Sequence, residues 1–298
     1  MSIKLSIVIP TKSKDDPKLA DLLRSIEAQD FPKDQMEILV ITEGTSESAK
    51  AIGIRKAKGE VIGILASDNV IPSYPKWLET LCFLAKLNGA VQPAYYEHRK
   101  SDDALTRYFA LIGNNDPLAF YMNKNDRFPR YLGPESILRI TNGRTIGDNG
   151  YFVVRDLIGM TDLDNYYHID NANEVPSDCV TYPNSIVHNT GGNIFTFFAK
   201  RYRYGLQHAF NSNRRWHLVD FSRKEDICRL VWFIVASLTV VHPLVTSIRG
   251  YLKLRDLAWF MHPIVCLMTL FTYTALVIHI TLRRFFQSLF AHTEGKLL

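Results

Sequence analysis

The sequence predicts an α/β fold: a mostly parallel sheet flanked by helices, with apolar helices appended at its C-terminal end. Three observations carry this. From Leu5 to Tyr96, short continuous runs of apolar, β-branched residues alternate with amphipathic helical patterns, the rhythm of strand–helix–strand crossovers and of a parallel sheet. These runs stop abruptly at polar residues, most clearly where Ile62-Gly63-Ile64-Leu65-Ala66-Ser67 gives way to Asp68-Asn69. Such a break delivers an acid to the carboxyl end of a strand, where open α/β sheets bind their ligands. Finally, Leu230–Ile248 and Leu257–Leu282, 19 and 26 residues long, contain no Lys, Arg, Asp or Glu.

The elements follow in order. Leu5–Pro10 is continuous and β-branched, as for a strand buried on both faces. Asp16 reads as an N-cap with Pro17 at the first helical position, and Leu19, Leu22, Leu23 and Ile26 repeat at helical spacing. Glu37–Ile41 is the second strand, followed by the polar turn Thr42–Glu47 and a helix over Ala49–Lys58. Glu60–Ala66 is the third strand. Pro75 opens a helix with Trp77, Leu78, Leu81 and Leu84 inward and Asn88-Gly89 as its stop, and Ala90–Tyr96 is a fourth strand. Residues 101–144 are less regular and rich in turn residues, the signature of a functional loop. Asn149–Arg155 and Cys179–Val187 read as further strands, the latter ending at His188, with a short helix around Asn165–Asn173 between them.

Composition narrows the classes. The 298 residues are 47% hydrophobic, enough for a substantial core, and the net charge of +5 is modest. No RNP-like, zinc-finger or helix-turn-helix pattern accompanies it, so no nucleic-acid partner is expected. Cys82, Cys179, Cys228 and Cys266 are far apart with no Cys-x-x-Cys pair, which argues against a zinc site or a disulfide framework and for reduced thiols. The apolar run at the N-terminus is short and is followed at once by Lys12, Lys14, Asp15 and Asp16. It is no signal peptide, and the N-terminal part is expected to stay in the cytosol.

Five motifs then come in a familiar sequence: Ile7-Val8-Ile9-Pro10-Thr11, Val40-Ile41-Thr42-Glu43-Gly44-Thr45-Ser46-Glu47, Ala57-Lys58-Gly59-Glu60-Val61-Ile62, Ala66-Ser67-Asp68, and Pro75-Lys76-Trp77-Leu78. Each alone is weak; in this order they resemble the inverting glycosyltransferases of family 2. The resemblance is good over residues 3–90 and weaker but ordered to about residue 205. It implies a GT-A (Rossmann-like) fold and a nucleotide-sugar donor, UDP-sugar favoured with GDP-sugar as the alternative. The donor residues it implies are Pro10, Thr11, Glu43, Lys56, Ser67 and Asp68. The chain departs from the family pattern at Thr42 and Glu43, where the family has two Asp, and at Ala66, the first position of its Asp-x-Asp metal motif.

The chemistry follows from the substrate. A departing nucleoside diphosphate concentrates negative charge, which a divalent Mn2+ or Mg2+ bound through oxygens offsets. Asp68 is the acidic ligand implied, and His188 stands where many family members supply an imidazole to the metal. An ordinary loop histidine is the rival reading. Inversion needs a base on the acceptor side; the resemblance places it at Asp170, in Tyr167-His168-Ile169-Asp170-Asn171, with Asp164 and Asp148 as rivals. Arg201 and Arg203 could clamp a diphosphate, of the donor or of a lipid carrier, or simply form a solvated basic face.

The C-terminal third adds the membrane. Leu257–Leu282 is long enough to span a bilayer, whereas Leu230–Ile248, interrupted by His242-Pro243, is marginal and reads as a broken or re-entrant helix. Basic residues flank both stretches, and Trp216, Trp232 and Trp259 read as interface anchors. The positive-inside bias places the outer flanks in the cytosol, but Arg249, Lys253 and Arg255 between the stretches oppose a simple spanning hairpin. The domains expected are 1–193 (catalytic), 194–226 (basic, amphipathic, interfacial) and 227–298 (membrane-associated helical hairpin), with oligomerisation through these helices open. The acceptor expected is a hydroxyl of a membrane-linked glycan or glycolipid. A polyprenyl phosphate is the alternative, and a non-catalytic nucleotide-sugar-binding subunit is the reading of another class.

Overall fold

The computed structural model describes residues 2–44, 46–113, 116–122, 138–140, 151–157, 179–189, 193–210, 219 and 221–294. The chain divides into two compact units, Met1–Asp102 with Phe109–Asn115 and Asn125–Thr190, and Asp103–Tyr108 with Asp116–Lys124 and Gly191–Leu298.

The first unit is built on β1 (Leu5–Pro10), α1 (Pro17–Glu27), β2 (Met36–Ile41), α2 (Ser46–Lys56), β3 (Val61–Ile64), β4 (Asn69–Val70), α3 (Trp77–Asn88) and β5 (Ala90–Tyr96). Helix α4 (Ala104–Ile112) has residues in both units, and β6 (Leu138–Ile140), β7 (Tyr151–Val154) and β8 (Cys179–His188) complete the sheet described. Strand order is β2-β1-β3-β7-β5-β8-β4, with β6 also on β8. β1 pairs parallel with β2 and β3, β5 pairs parallel with β8, and β7 runs antiparallel between β3 and β5. Strands β1, β2, β3, β5 and β8 therefore all point one way. This is the α/β fold that the alternating pattern predicts, a mostly parallel sheet with helices on its faces.

The core explains the unbroken apolar run of β1. Leu5, Ile7 and Ile9 pack on one face with Leu19, Leu22 and Ile26 of α1 and Trp77, Leu78 and Leu81 of α3. Val8, pointing the other way, packs with Ala51 and Ile54 of α2 and with Ile62 and Ile64 of β3. A strand covered on both faces has no polar side to show. Asp16 caps α1 as its sequence predicts, its carboxylate accepting from the Lys18 amide at 3.0 Å.

Two differences from the sequence reading have clear causes. Helix α2 covers Ser46–Lys56 and stops short of Lys58 because the next residues tie β1 to β2. The Lys58 amide donates to Glu37 Oε1 at 2.6 Å and the Gly59 amide to Ser6 Oγ at 2.7 Å. A Cβ on Gly59 would lie 2.5 Å from the Ser6 backbone nitrogen, so the chain can pass there only without a side chain. In the stretch expected to be irregular, α4 and α5 (Pro117–Tyr121) form. Asp103 and Asp116 cap them, accepting from the amides of Leu105 and Leu118, each at 2.9 Å. Both helices are short, nine and five residues, too few turns for a 3.6-residue period to stand out among the turn residues around them.

In the second unit α5, α6 (Ile194–Phe210), α7 (Lys224–Thr239), α8 (Val241–Lys253) and α9 (His262–Glu294) pack together. α5, α7 and α9 share a core that includes Leu118, Tyr121, Met122, Phe233, Ala236, Cys266 and Leu270. α6 lies against α9, with Gly205 leaving room for Leu276 and the Tyr202 hydroxyl 2.7 Å from His279 Nδ1. Among the described residues, Leu257–Gln287 is long and apolar enough to cross a membrane, with a mean hydropathy of 1.9 over its most apolar stretch. α7 and α8 are bent by 84° at Val240.

Candidate functional site

Topology gathers the candidate residues. Because β1, β2 and β3 are parallel neighbours, their carboxyl ends lie along one edge, and β8 runs in the same direction. Thr11 after β1, Glu43 after β2, Asp68 after β3 and His188 at the end of β8 therefore fall on that edge. The short strand β4 then pairs antiparallel with β8, setting Asn69 opposite His188.

This pairing brings Asp68 and His188, 120 positions apart, to 3.9 Å between Oδ1 and Nδ1. The Asn189 amide donates to the Asp68 carbonyl at 2.8 Å, and Lys18 Nζ donates to the Asn189 carbonyl at 2.9 Å. Asn69 closes the turn from Ala66, its Oδ1 accepting from the Ala66 amide and its own amide donating to the Ala66 carbonyl, each at 2.9 Å. Asn69 Nδ2 is buried and makes no hydrogen bond among the described residues. The Tyr96 ring meets the His188 ring edge-on at 5.0 Å and fixes its plane. Asp68 keeps 20% of its side chain in solvent and His188 keeps 6%, so a ligand would approach from the carboxylate side.

The pair suits a divalent cation. At 3.9 Å the two atoms are too far apart to hydrogen-bond, yet both could reach one ion through bonds of about 2.1 Å each. Among the described residues no group of three or more His, Cys, Asp or Glu forms a closed metal site. Asp68 and His188 would supply two positions, leaving the rest to ligand oxygens and water.

Cations stand around this edge. Lys12 and Lys14 are exposed in the loop after β1, and Lys18 is half-buried in the first turn of α1. Sequence reading passed over Lys18, Asn69 and Tyr96. The one available signal was position: Lys18 and Asn69 each follow shortly after the carboxyl end of a strand.

The remaining expected residues are placed as follows. Pro10 is the buried last residue of β1, and the Thr11 hydroxyl donates to the Ser13 carbonyl at 3.0 Å. Glu43 is exposed, 3.7 Å from Lys56. Ser67 is half-buried beside Asp68. Arg155 donates to the Lys58 carbonyl at 3.1 Å, bracing the turn before β3. In the second unit Arg201 Nη1 donates to the buried Asp116 carboxylate at 2.7 Å and lies 3.2 Å from the Tyr273 hydroxyl, which also donates to Asp116. Engaging a diphosphate with Arg201 would take from the Asp116 carboxylate its charged partner and leave it the Tyr273 hydroxyl and the Leu118 amide. Arg203 is exposed instead, at a shallow, mostly apolar groove lined by Phe198, Tyr202, Phe271, Thr272 and Ala275 of α6 and α9. Asp170, Asp164 and Asp148 lie outside the described residues, as do Arg214, Arg215 and Trp216.

No protein-family profile and no curated protein matches the sequence. Among solved structures the chain is similar to S. aureus TarS 1–349 in complex with UDP, at a TM-score of 0.40 and 11% identity, over 72% of this chain and 67% of that one. The same TarS fragment in complex with UDP-GlcNAc gives a TM-score of 0.40 at 11% identity, over 89% of this chain and 79% of that one. The mannosyltransferase PcManGT from Pyrobaculum calidifontis, in complex with GDP-Man and Mn2+, gives 0.44 at 14% identity, over 90% of this chain and 86% of that one.

Proposed function

We propose that this chain is a GT-A glycosyltransferase that transfers a sugar, with inversion, from a nucleotide-sugar to a hydroxyl of a membrane-linked acceptor. The observation that carries this reading is the meeting of Asp68 and His188 at 3.9 Å on the edge where the parallel strands end. An acid and an imidazole at that edge, ringed by Lys12, Lys14 and Lys18, suit a diphosphate and its counter-ion. Thr11 and Glu43, on the same edge, are the residues we assign to the nucleoside.

Bound Mn2+ or Mg2+ would offset the charge that develops on the departing nucleoside diphosphate. Asp68 holds its position through the Asn69-closed turn, and His188 through Tyr96 and the β4–β8 pairing. Lys18, already turned toward the Asn189 carbonyl, is placed to add a positive charge near the diphosphate. On the acceptor side we assign the base to Asp170. It takes the hydroxyl proton as the new carbon–oxygen bond forms and the bond to the diphosphate breaks. The apolar helices of the second unit support membrane attachment, with the catalytic unit on the cytosolic face, and the groove beside Arg203 is our candidate for the lipid part of the acceptor.

A second reading, a nucleotide-sugar-binding subunit without turnover, rests on the departures at Thr42, Glu43 and Ala66, where acidic residues of the family pattern are replaced or altered. Thermal denaturation tests the shared part of both. UDP or GDP with Mn2+ should raise the melting temperature of the wild type and leave Asp68→Ala unmoved. No shift with either nucleotide would contradict both readings. A shift without sugar transfer to any lipid fraction would favour the subunit.

A further inference from the structure

The α7–α8 pair has the shape and charge of a wedge that enters one membrane leaflet and returns. α7 has 16 residues, α8 has 13, and they meet at 84° across the single residue Val240. Val240 has φ 62°, a left-handed conformation that a β-branched residue adopts only when its surroundings demand it. The bend is fixed from inside the unit. Phe233, Ala236 and Ser237 of α7 and Pro243, Ser247 and Gly250 of α8 are buried. A Cβ on Gly250 would fall 2.3 Å from the Trp259 ring, and Ser247 Oγ donates to the Trp259 carbonyl at 2.8 Å.

The opposite faces are apolar and bare. Val235, Leu238, Val241 and Leu244, around the bend, are 45%, 60%, 64% and 45% exposed. Water is a poor solvent for such a surface, and a contiguous patch of this kind marks an interaction site. Charge tells which partner fits. Between Leu230 and Ile248 there is no Lys, Arg, Asp or Glu. Arg223, Lys224 and Arg229 stand before or within the first two turns of α7, Arg249 four residues before the end of α8, and Lys253 and Arg255 at or after that end. Of the acids nearby, Asp256 pairs with Arg107 at 3.1 Å and Asp226 is buried, while exposed Glu225 lies 3.8 Å from Arg223 and offsets it, leaving Lys224 and Arg229 as the excess charge at that end.

Length settles the depth. With a 1.5 Å rise per residue and the two arms inclined equally, the bend would lie roughly 16 Å below the start of α7 and roughly 13 Å below the end of α8. That is about half of a hydrocarbon core of about 30 Å. The arms reach mid-bilayer but not the far side, and both basic ends return to the same headgroup layer.

We propose that α7–α8 is a re-entrant wedge seated in one anionic leaflet, its bend near the bilayer centre and both basic ends among the headgroups of the side from which it entered. This rests on the membrane attachment proposed above and not on the transferase chemistry, so the two can fail separately. The test uses the full chain added to preformed phosphatidylcholine–phosphatidylglycerol vesicles, with a membrane-impermeant maleimide outside. The exposed native Cys228 and a Lys253→Cys site should both label without detergent. A Val241→Cys site should label at least about tenfold more slowly until detergent is added, because the hydrocarbon excludes the reagent. As a second readout, bromine at the middle of the acyl chains should quench Trp232, measured as the signal lost in Trp232→Phe, more than bromine near the headgroups. Protection of Lys253→Cys while Cys228 labels would overturn the proposal in favour of a crossing. Equal labelling at 241 and 253, or strongest quenching of Trp232 near the headgroups, would overturn it in favour of surface adsorption. Failure of the wild type to sediment with the vesicles would overturn it together with the membrane attachment, while nucleotide binding in solution would leave the transferase reading standing.

Discussion

Asn69 and Asp68 are neighbours with separable tasks. Asn69 Oδ1 closes the turn through the Ala66 amide, whereas the Asp68 contact to Asn189 runs through its backbone carbonyl, which any side chain keeps. Asn69→Ala should therefore destabilise the chain by about 1–2 kcal/mol, the cost of a lost hydrogen bond to a partly buried amide, read as a lower urea midpoint. Asp68→Ala should change stability by less than about 1 kcal/mol, as substitutions of partly exposed side chains generally do, yet abolish the stabilisation by nucleotide and Mn2+. If Asp68→Ala instead unfolded the chain, the carboxylate would be a structural residue. Of these residues, Asp68 was singled out in the sequence because it follows an apolar strand, and His188 because it ends a strand where the family resemblance expects an imidazole. Asn69 and Tyr96 were not, because their roles depend on β4 pairing with β8 and on ring packing, neither of which has a sequence period.

At the scale of elements, two predictions concern the approach to β3. Gly59 passes against the backbone of β1, where no flexible side chain can give way, so Gly59→Ala should cost about 1–3 kcal/mol through overpacking. An unchanged urea midpoint would show that β1 and β3 can part at that point. Glu60 is the second case. Its hydrogen bond to Lys86, and then that lysine's charge, hold its carboxyl below the usual carboxylate value. A folded-state value below the unfolded one gives stabilisation that is present above about pH 4.3 and is lost as pH falls through the lower folded value. Lys86→Met should remove that part of the acid sensitivity, so its urea midpoint should fall less than that of the wild type on acidification below about pH 4.3. Parallel profiles would show that the exposed pair contributes nothing measurable, as many surface pairs do. The elements that were legible, β1, β2, β3 and β5 with α1 to α3, owe this to short apolar strands with clear polar stops. α4 and α5 were hidden because nine and five residues are too few turns for a helical period to stand out from the turn-rich stretch around them.

For the whole molecule, the sequence carried the apolar character of the C-terminal third and, through His242-Pro243, a break in Leu230–Ile248; it did not carry the size of the bend, 84° at Val240, which is left-handed with no glycine to announce it. The exposed apolar faces of α7, α8 and α9 predict that the full chain fractionates with membranes and stays there in high salt, since apolar burial is not screened as charge is. Release by salt alone would mean that only the basic residues hold it. The central claim remains that the edge carrying Asp68 and His188 handles a nucleotide-sugar. Its most direct measurement is release of nucleoside diphosphate from a panel of nucleotide-sugars by the full chain, with Mn2+ and a native lipid fraction as acceptor. The account expects release that depends on donor, metal and lipid and falls at least about a hundredfold in Asp68→Ala, as loss of a group stabilising the transition state would cause. Equal release by wild type and Asp68→Ala, or no release from any donor, would contradict it.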